Sequence, residues 1–192
     1  MGMYLVSVGR QEWFSDDEGL GGKGAIASAF NEELRLRGLP PYESVPELGP
    51  ALWFEEKLSL PMTGFSALCR AHLTPEEEET LCGWSEMVPI SLDEEITLPV
   101  GGAYTVMTVV AGAPQVLAAA ERLASAIGLP PEVPQVFPNL GLTMWFLDGQ
   151  AKDLAATRPG PWSEDLNSAF YAALYLRAAQ HSLRCGVPLS YS

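Results

Sequence analysis

Twice in this chain an extended apolar run gives way to a helix that stops at the same four residues, Gly-Leu-Pro-Pro, at 38–41 and again at 128–131. The first unit is "MYLVSV" (3–8), a β-branched and aromatic stretch, followed by a helix over 25–38. Its apolar positions Ile26, Ala29, Phe30, Leu34 and Leu36 recur at helical spacing. The second is "AYTVMTVVAG" (103–112) and an Ala-rich helix over 113–128, with Pro114 in its first turn. Glycine can take the left-handed conformation that ends a helix and proline cannot continue one, so both stops have a backbone cause. Strands that feed helices call for a sheet with helices packed on it. The repetition raises a duplicated βα unit as a feature of the fold.

Further elements fit the same class. Residues 63–73 and 74–83 read as two short helices in series. Thr74, Pro75 and Glu77 supply the cap, the first helical position and the reciprocal capping partner of the second. Glu76 to Glu79 then suit the positive helix end as a solvated first turn. "MVPISL" (87–92) and "EITLPV" (95–100) flank Asp93-Glu94 as a hairpin leading into the 103–112 strand, and "LTMWFL" (142–147) reads as one more strand. A long helix over 163–186 has Ser163 as its cap and Gly186 as its stop. The proline-rich 129–141 segment carries Val133, Val136, Phe137 and Leu140, which mark it as packed chain rather than linker. The expected fold is α+β: a single domain over 1–192, with a mixed, largely antiparallel sheet and helices packed on it.

The loop between the first strand and helix, "SDDEGLGGKGAIASAF" (15–30), contains Gly19, Gly21 and Gly24 in the order G-x-G-x-x-G. A dinucleotide loop needs its first glycine directly after the strand, where amides at the helix entrance meet the pyrophosphate. Here residues 9–18 intervene, and Asp16, Asp17 and Glu18 stand where a phosphate would have to sit. A Walker loop fails too, because Lys23 is followed by Gly24. The glycines are read as letting a loop bend and a helix begin, and no cofactor is called.

Cys69 and His72 lie three apart on one expected helix, and His181 and Cys185 four apart on another, spacings from which consecutive turns can aim at one point. Together they are the candidate zinc ligands. Each pair also falls on an apolar stripe, the ordinary pattern of a core. The dipeptide Trp-Phe occurs at 13–14, 53–54 and 145–146, each near carboxylates, as in sites that hold a basic side chain. Adjacent residues point in different directions, so one member of each pair is expected to be core. No H-x-H, H-E-x-x-H or G-x-S-x-G arrangement organises the acids and serines for catalysis.

Twenty-four acidic against eleven basic residues give a net charge of -13. That excess repels nucleic-acid backbones and anionic membrane surfaces and attracts cationic partners. Three cysteines, an odd number in a chain of this size, fit reduced thiols in the cytoplasm, and no apolar run reaches the length of a membrane span or leader. The leading expectation is an acidic, cytoplasmic binding protein without catalytic activity. It engages a basic protein in the manner of an immunity protein or antitoxin, through Trp13, Phe14, Asp16, Asp17 and Glu18. The alternative is a small-molecule-binding protein or metal-assisted enzyme with its pocket beside the loop at 16–24.

Overall fold

The structure is a computed structural model that describes residues 2–17, 22–102, 105–135 and 139–192. Six strands among these residues form one sheet: β1 (Met3–Ser7), β2 (Glu55–Leu58), β3 (Glu86–Val88), β4 (Ile96–Leu98), β5 (Thr108–Gly112) and β6 (Leu189–Tyr191). Their order is β2-β1-β6-β3-β5-β4. The fold is α+β and the sheet is mixed: β3 and β5 run parallel, and the remaining neighbours are antiparallel. The parallel pair arises because β5 inserts between β3 and β4. The hairpin expected from 87–92 and 95–100 therefore does not form, and β4 pairs with β5 instead.

Alternation along each strand sorts the sheet into two faces. Leu5, Met87, Ala111 and Leu189 point into the larger apolar layer. Into it pack α3 (Thr63–His72), α4 (Pro75–Cys82), α5 (Ala113–Ala126), α6 (Gly141–Leu147), α7 (Gln150–Thr157), α8 (Pro161–Glu164) and α9 (Leu166–Cys185). Val88, Ile96, Leu98 and Val110 point the other way, against α1 (Arg10–Trp13) and α2 (Gly24–Leu36). Ile26, Phe30 and Leu34 recur every four residues on α2 and are all buried, each contributing roughly 1.5–3 kcal/mol through apolar area removed from water. Among the described residues no helix is long and apolar enough to cross a membrane.

The helix ends follow the sequence closely. Leu39 N–H donates to the Leu34 carbonyl at 2.9 Å and Gly38 N–H to Arg35 at 3.1 Å, with Gly38 at φ 71°. Leu129 and Gly128 bond Ala124 and Ser125 in the same way, with Gly128 at φ 61°. Both tetrapeptides are thus the same helix-stop motif. The strands before them are not equivalent, since β1 has only antiparallel neighbours and β5 has one parallel. The 74–83 helix carries its reciprocal cap, Glu77 N–H to Thr74 Oγ1 at 3.3 Å and Thr74 N–H to Glu77 Oε2 at 2.9 Å. The long C-terminal helix starts at Leu166 on an Asp165 cap; Ser163 instead closes the separate turn α8 through Gly160. The 129–135 segment is held to α9 by the buried Arg177 guanidinium, which donates to the Val133 and Pro134 carbonyls. Val136 and Phe137 lie outside the described residues.

Residues 142–147 are helical, not extended. Glu56 of β2, fully buried, reaches the start of α6 and accepts from Leu142 N–H and Thr143 N–H at 2.8 Å each and from the Thr143 hydroxyl at 2.6 Å. A carboxylate at a helix entrance satisfies amides that have no partner within the helix and meets the positive end of the dipole. An apolar run too short to show a period takes its conformation from that distant cap. Replacing Glu56 with alanine should cost about 1–3 kcal/mol through the freed amides. Equilibrium denaturation would read the loss, and hydrogen exchange should accelerate first at Leu142 and Thr143.

Candidate functional site

A row of directly paired residues crosses the α2 face of the sheet: Val6, Ser190, Glu86, Val110 and Ile96, from β1 through β6, β3 and β5 to β4. Apolar residues occupy both ends, but the middle is a carboxylate and a hydroxyl under α2. Lys23, at the entrance of α2, reaches down to them. Its Nζ donates to Glu86 Oε1 at 2.8 Å and to Ser190 Oγ at 2.6 Å, and Ser190 Oγ donates to Glu86 Oε1 at 2.9 Å. The ion pair is buried, with side-chain exposures of 10% and 2%. Burial pushes the Glu86 carboxyl up, the Lys23 charge and its hydrogen bonds hold it down, and nearby Glu12 pushes it up again. Glu86 Oε2 is buried without a hydrogen-bond partner among the described residues.

Lys23 and Ser190 form part of the wall of a cleft of about 730 Å³, lined also by Glu12, Asp16, Gly22 and the main chain at Gly101 and Gly102. Glu12, on α1, is half-buried and makes no hydrogen bond among the described residues through its carboxylate. Burial raises its pKa from the ordinary value, and the attraction of Lys23 offsets the rise only in part. The cleft thus holds one ammonium already committed to Glu86, and two carboxylates, Glu12 and Asp16, of its own.

The glycines at the α2 entrance have a packing role. A Cβ on Gly22 would lie 2.3 Å from the Ser15 carbonyl oxygen, and one on Gly24 would lie 2.3 Å from Asp16 Oδ1 and 2.9 Å from Ser15 backbone atoms. Gly24 N–H donates to the Ser15 carbonyl at 2.8 Å. The 15–17 segment therefore lies directly on the helix entrance, with an Asp16 carboxylate oxygen close beside Gly24. Gly19, Gly21 and Glu18 lie outside the described residues.

The expected contact residues divide sharply. Trp13 is completely buried, edge-on to Tyr42 at 5.9 Å, and so cannot present its ring to a partner; this corrects its place in the contact set. Phe14 is 39% exposed under the Arg10 guanidinium, and Asp16 and Asp17 are exposed. Of the other Trp-Phe pairs, Trp53 is exposed over buried Phe54, whereas Trp145 and Phe146 are both core.

The zinc quartet does not assemble. Among the described residues no group of three or more His, Cys, Asp or Glu side chains is placed to hold a metal ion, Asp16 and Asp17 included. His72 is exposed, and Cys69 is buried with its thiol toward Cys82, a contact that lowers the Cys69 pKa and raises that of Cys82. His181 Nδ1 does face Cys185 Sγ at 3.8 Å. Its Nε2 lies 3.0 Å from the Leu52 carbonyl and 3.3 Å from Ser7 Oγ. The Ser7 hydroxyl donates to that same carbonyl at 3.1 Å and accepts from Phe54 N–H at 2.9 Å. A histidine beside a serine is here a buried tie between β1, the 52–54 segment and α9. Burial lowers the pKa of its imidazole, and its Nε2 is taken up by the Leu52 carbonyl and the Ser7 hydroxyl.

Comparison with protein families, curated proteins and solved structures finds no match.

Two outcomes test this arrangement. Lys23→Met strands a buried carboxylate and should cost about 3–5 kcal/mol in urea denaturation, whereas Lys23→Met combined with Glu86→Leu should recover most of it. Because the folded Glu12 carboxyl binds its proton more tightly than the unfolded one, its contribution to stability is full below the unfolded pKa and is lost as pH rises through the folded one. Glu12→Gln should match the wild type below about pH 4 and exceed it near ~pH 7.5, where the buried charge is gone; denaturation across that range provides the check.

Proposed function

We propose that this chain is a binding protein without catalytic activity, engaging a basic protein partner in the manner of an immunity protein or antitoxin, and that the cleft at the α2 entrance is where the partner is gripped. The observation that carries this reading is the charge balance of that cleft: Glu12 and Asp16 line it, and its one cation, Lys23, is already neutralised by Glu86. The rest of the surface supports the same preference. Arg35, Arg37, Arg122 and Arg158 are each paired with glutamates, so much of the positive charge is spent internally while the excess of -13 remains. Phe14 and Asp17, exposed beside the cleft mouth in sequence, extend the contact set; Trp13 supports it from the core. A reduced cytoplasmic setting suits the free thiols of Cys69, Cys82 and Cys185.

The cleft volume favours a second reading, since about 730 Å³ lies in the range of small-molecule sites. On that reading a free organic cation takes the place of the partner's side chain.

A partner drawn by charge should associate faster as salt falls. Basic proteins retained from a native lysate would be tested singly in stopped-flow. The on-rate should rise about tenfold or more between roughly 0.3 M and 0.03 M salt. An on-rate indifferent to salt contradicts the proposal.

A further inference from the structure

The buried charges at the α2 entrance do not balance. Three ionisable groups interact there, Glu12, Lys23 and Glu86: the Lys23 charge acts on both carboxylates and Glu12 acts on Glu86. That is two carboxylates to one ammonium. Lys23 spends its bonds on Glu86 Oε1 and Ser190, which leaves Glu86 Oε2 orphaned and the Glu12 carboxylate unbonded among the described residues. An isolated buried carboxylate is costly and is normally paired or neutralised. Glu12, partly buried on the wall of the cleft with only part of its desolvation offset by Lys23, leaves room there for a further positive charge.

We infer that the cleft is the seat of a single organic cation, the ammonium or guanidinium of a lysine or arginine side chain inserted by the partner protein, held by Glu12 and Asp16 with Glu86 behind the wall. This rests on the reading that the partner is basic. The lining offers both parts of a long basic side chain a surface: Val6, Ile26 and Val100 are apolar surface for a methylene stem, Glu12 and Asp16 are carboxylates for its charged head, and Gly22, Gly101 and Gly102 add no side chains of their own. The same lining opposes phosphate, because Glu12 and Asp16 carry its own sign of charge. A metal ion is poorly served, since no three ligating side chains converge among the described residues.

The experiment titrates the full chain, labelled with nitrogen-15, with Nα-acetyl-lysine amide, Nα-acetyl-arginine amide, the neutral isostere Nα-acetyl-norleucine amide and inorganic phosphate. Saturable shifts are expected at Glu12, Asp16, Gly101, Gly102 and Ser190 with the two cationic probes only, and Glu12→Gln should weaken them roughly tenfold. Asp16→Asn, a change at an exposed position, supplies a second variant should the first alter the fold. Equal shifts with the norleucine probe, shifts with phosphate, or cationic binding that ignores both substitutions would overturn the inference. If a basic protein still associates in a salt-dependent way while the probes leave the cleft unmoved, the seat is wrong and the basic-partner reading stands. If the probes bind the cleft and no basic protein associates, the seat stands and its cation is a free small molecule.

Discussion

The ion pair between Lys23 and Glu86, with Ser190 closing it, is the interaction on which the arrangement of the α2 face depends. It joins residues 63 positions apart and fixes three things at once: where α2 begins, how β6 sits beside β3, and where the wall of the cleft stands. Such a pair is not a cheap way to hold a fold, because removing two charges from water costs about as much as their attraction returns, and an apolar pair of similar volume is often as stable or more so. Its value is geometric. A Leu in place of Glu86 could accept α2 in several registers, whereas a carboxylate inside the sheet accepts only the one that delivers an ammonium.

Lys23 is committed downward, and the 15–17 segment packs against the helix entrance that it opens. The main chain from Ser15 to Asp17 must turn back over Gly22 and Gly24, and the missing side chains at those two positions let it approach within a distance any Cβ would block. The result places a carboxylate, Asp16, at the helix entrance and leaves another, Glu12, facing the same space. A glycine-rich stretch that resembles a phosphate cradle in outline is therefore its electrostatic opposite, with the carboxylates of Glu12 and Asp16 beside the space that a phosphate would need.

Much of the fold can be read in the sequence because much of it is set locally. The stops at Gly38 and Gly128, the reciprocal cap of Thr74 and Glu77, and the stripe of Ile26, Phe30 and Leu34 all depend on residues within a few positions of one another. What could not be read depends on distant partners. Residues 142–147 become helical because Glu56, 86 positions away, caps them. β4 leaves β3 because β5 inserts between them, and β2 and β6 are too short to announce themselves. The site divides in the same way. The acidity of residues 16–18 and the oddity of the glycine loop were visible, and Asp16 and Gly22 of that stretch line the cleft. Trp13 looked like a contact residue because sequence does not say which of two adjacent aromatics turns inward. Glu86 was missed altogether, although a glutamate opening the apolar run Met87-Val88 was a faint signal of a buried charge, and Lys23 among glycines was its only counterpart in that loop.

Among the described residues, the two faces of the sheet differ in how completely they satisfy their polar groups. On the larger face Glu56 has bonds on both oxygens, Arg177 is held by two carbonyls and Gln180, and Ser7 and His181 share the Leu52 carbonyl. Each is a finished network, and finished networks rigidify. On the α2 face Glu86 Oε2 and Trp13 Nε1 are buried without a partner among the described residues, and the half-buried Glu12 acts on Glu86. Burying a donor or acceptor without a partner forfeits more than a typical hydrogen bond returns. Among the described residues, the networks named on the larger face are complete, whereas the α2 face keeps open polar groups close to the wall of the cleft.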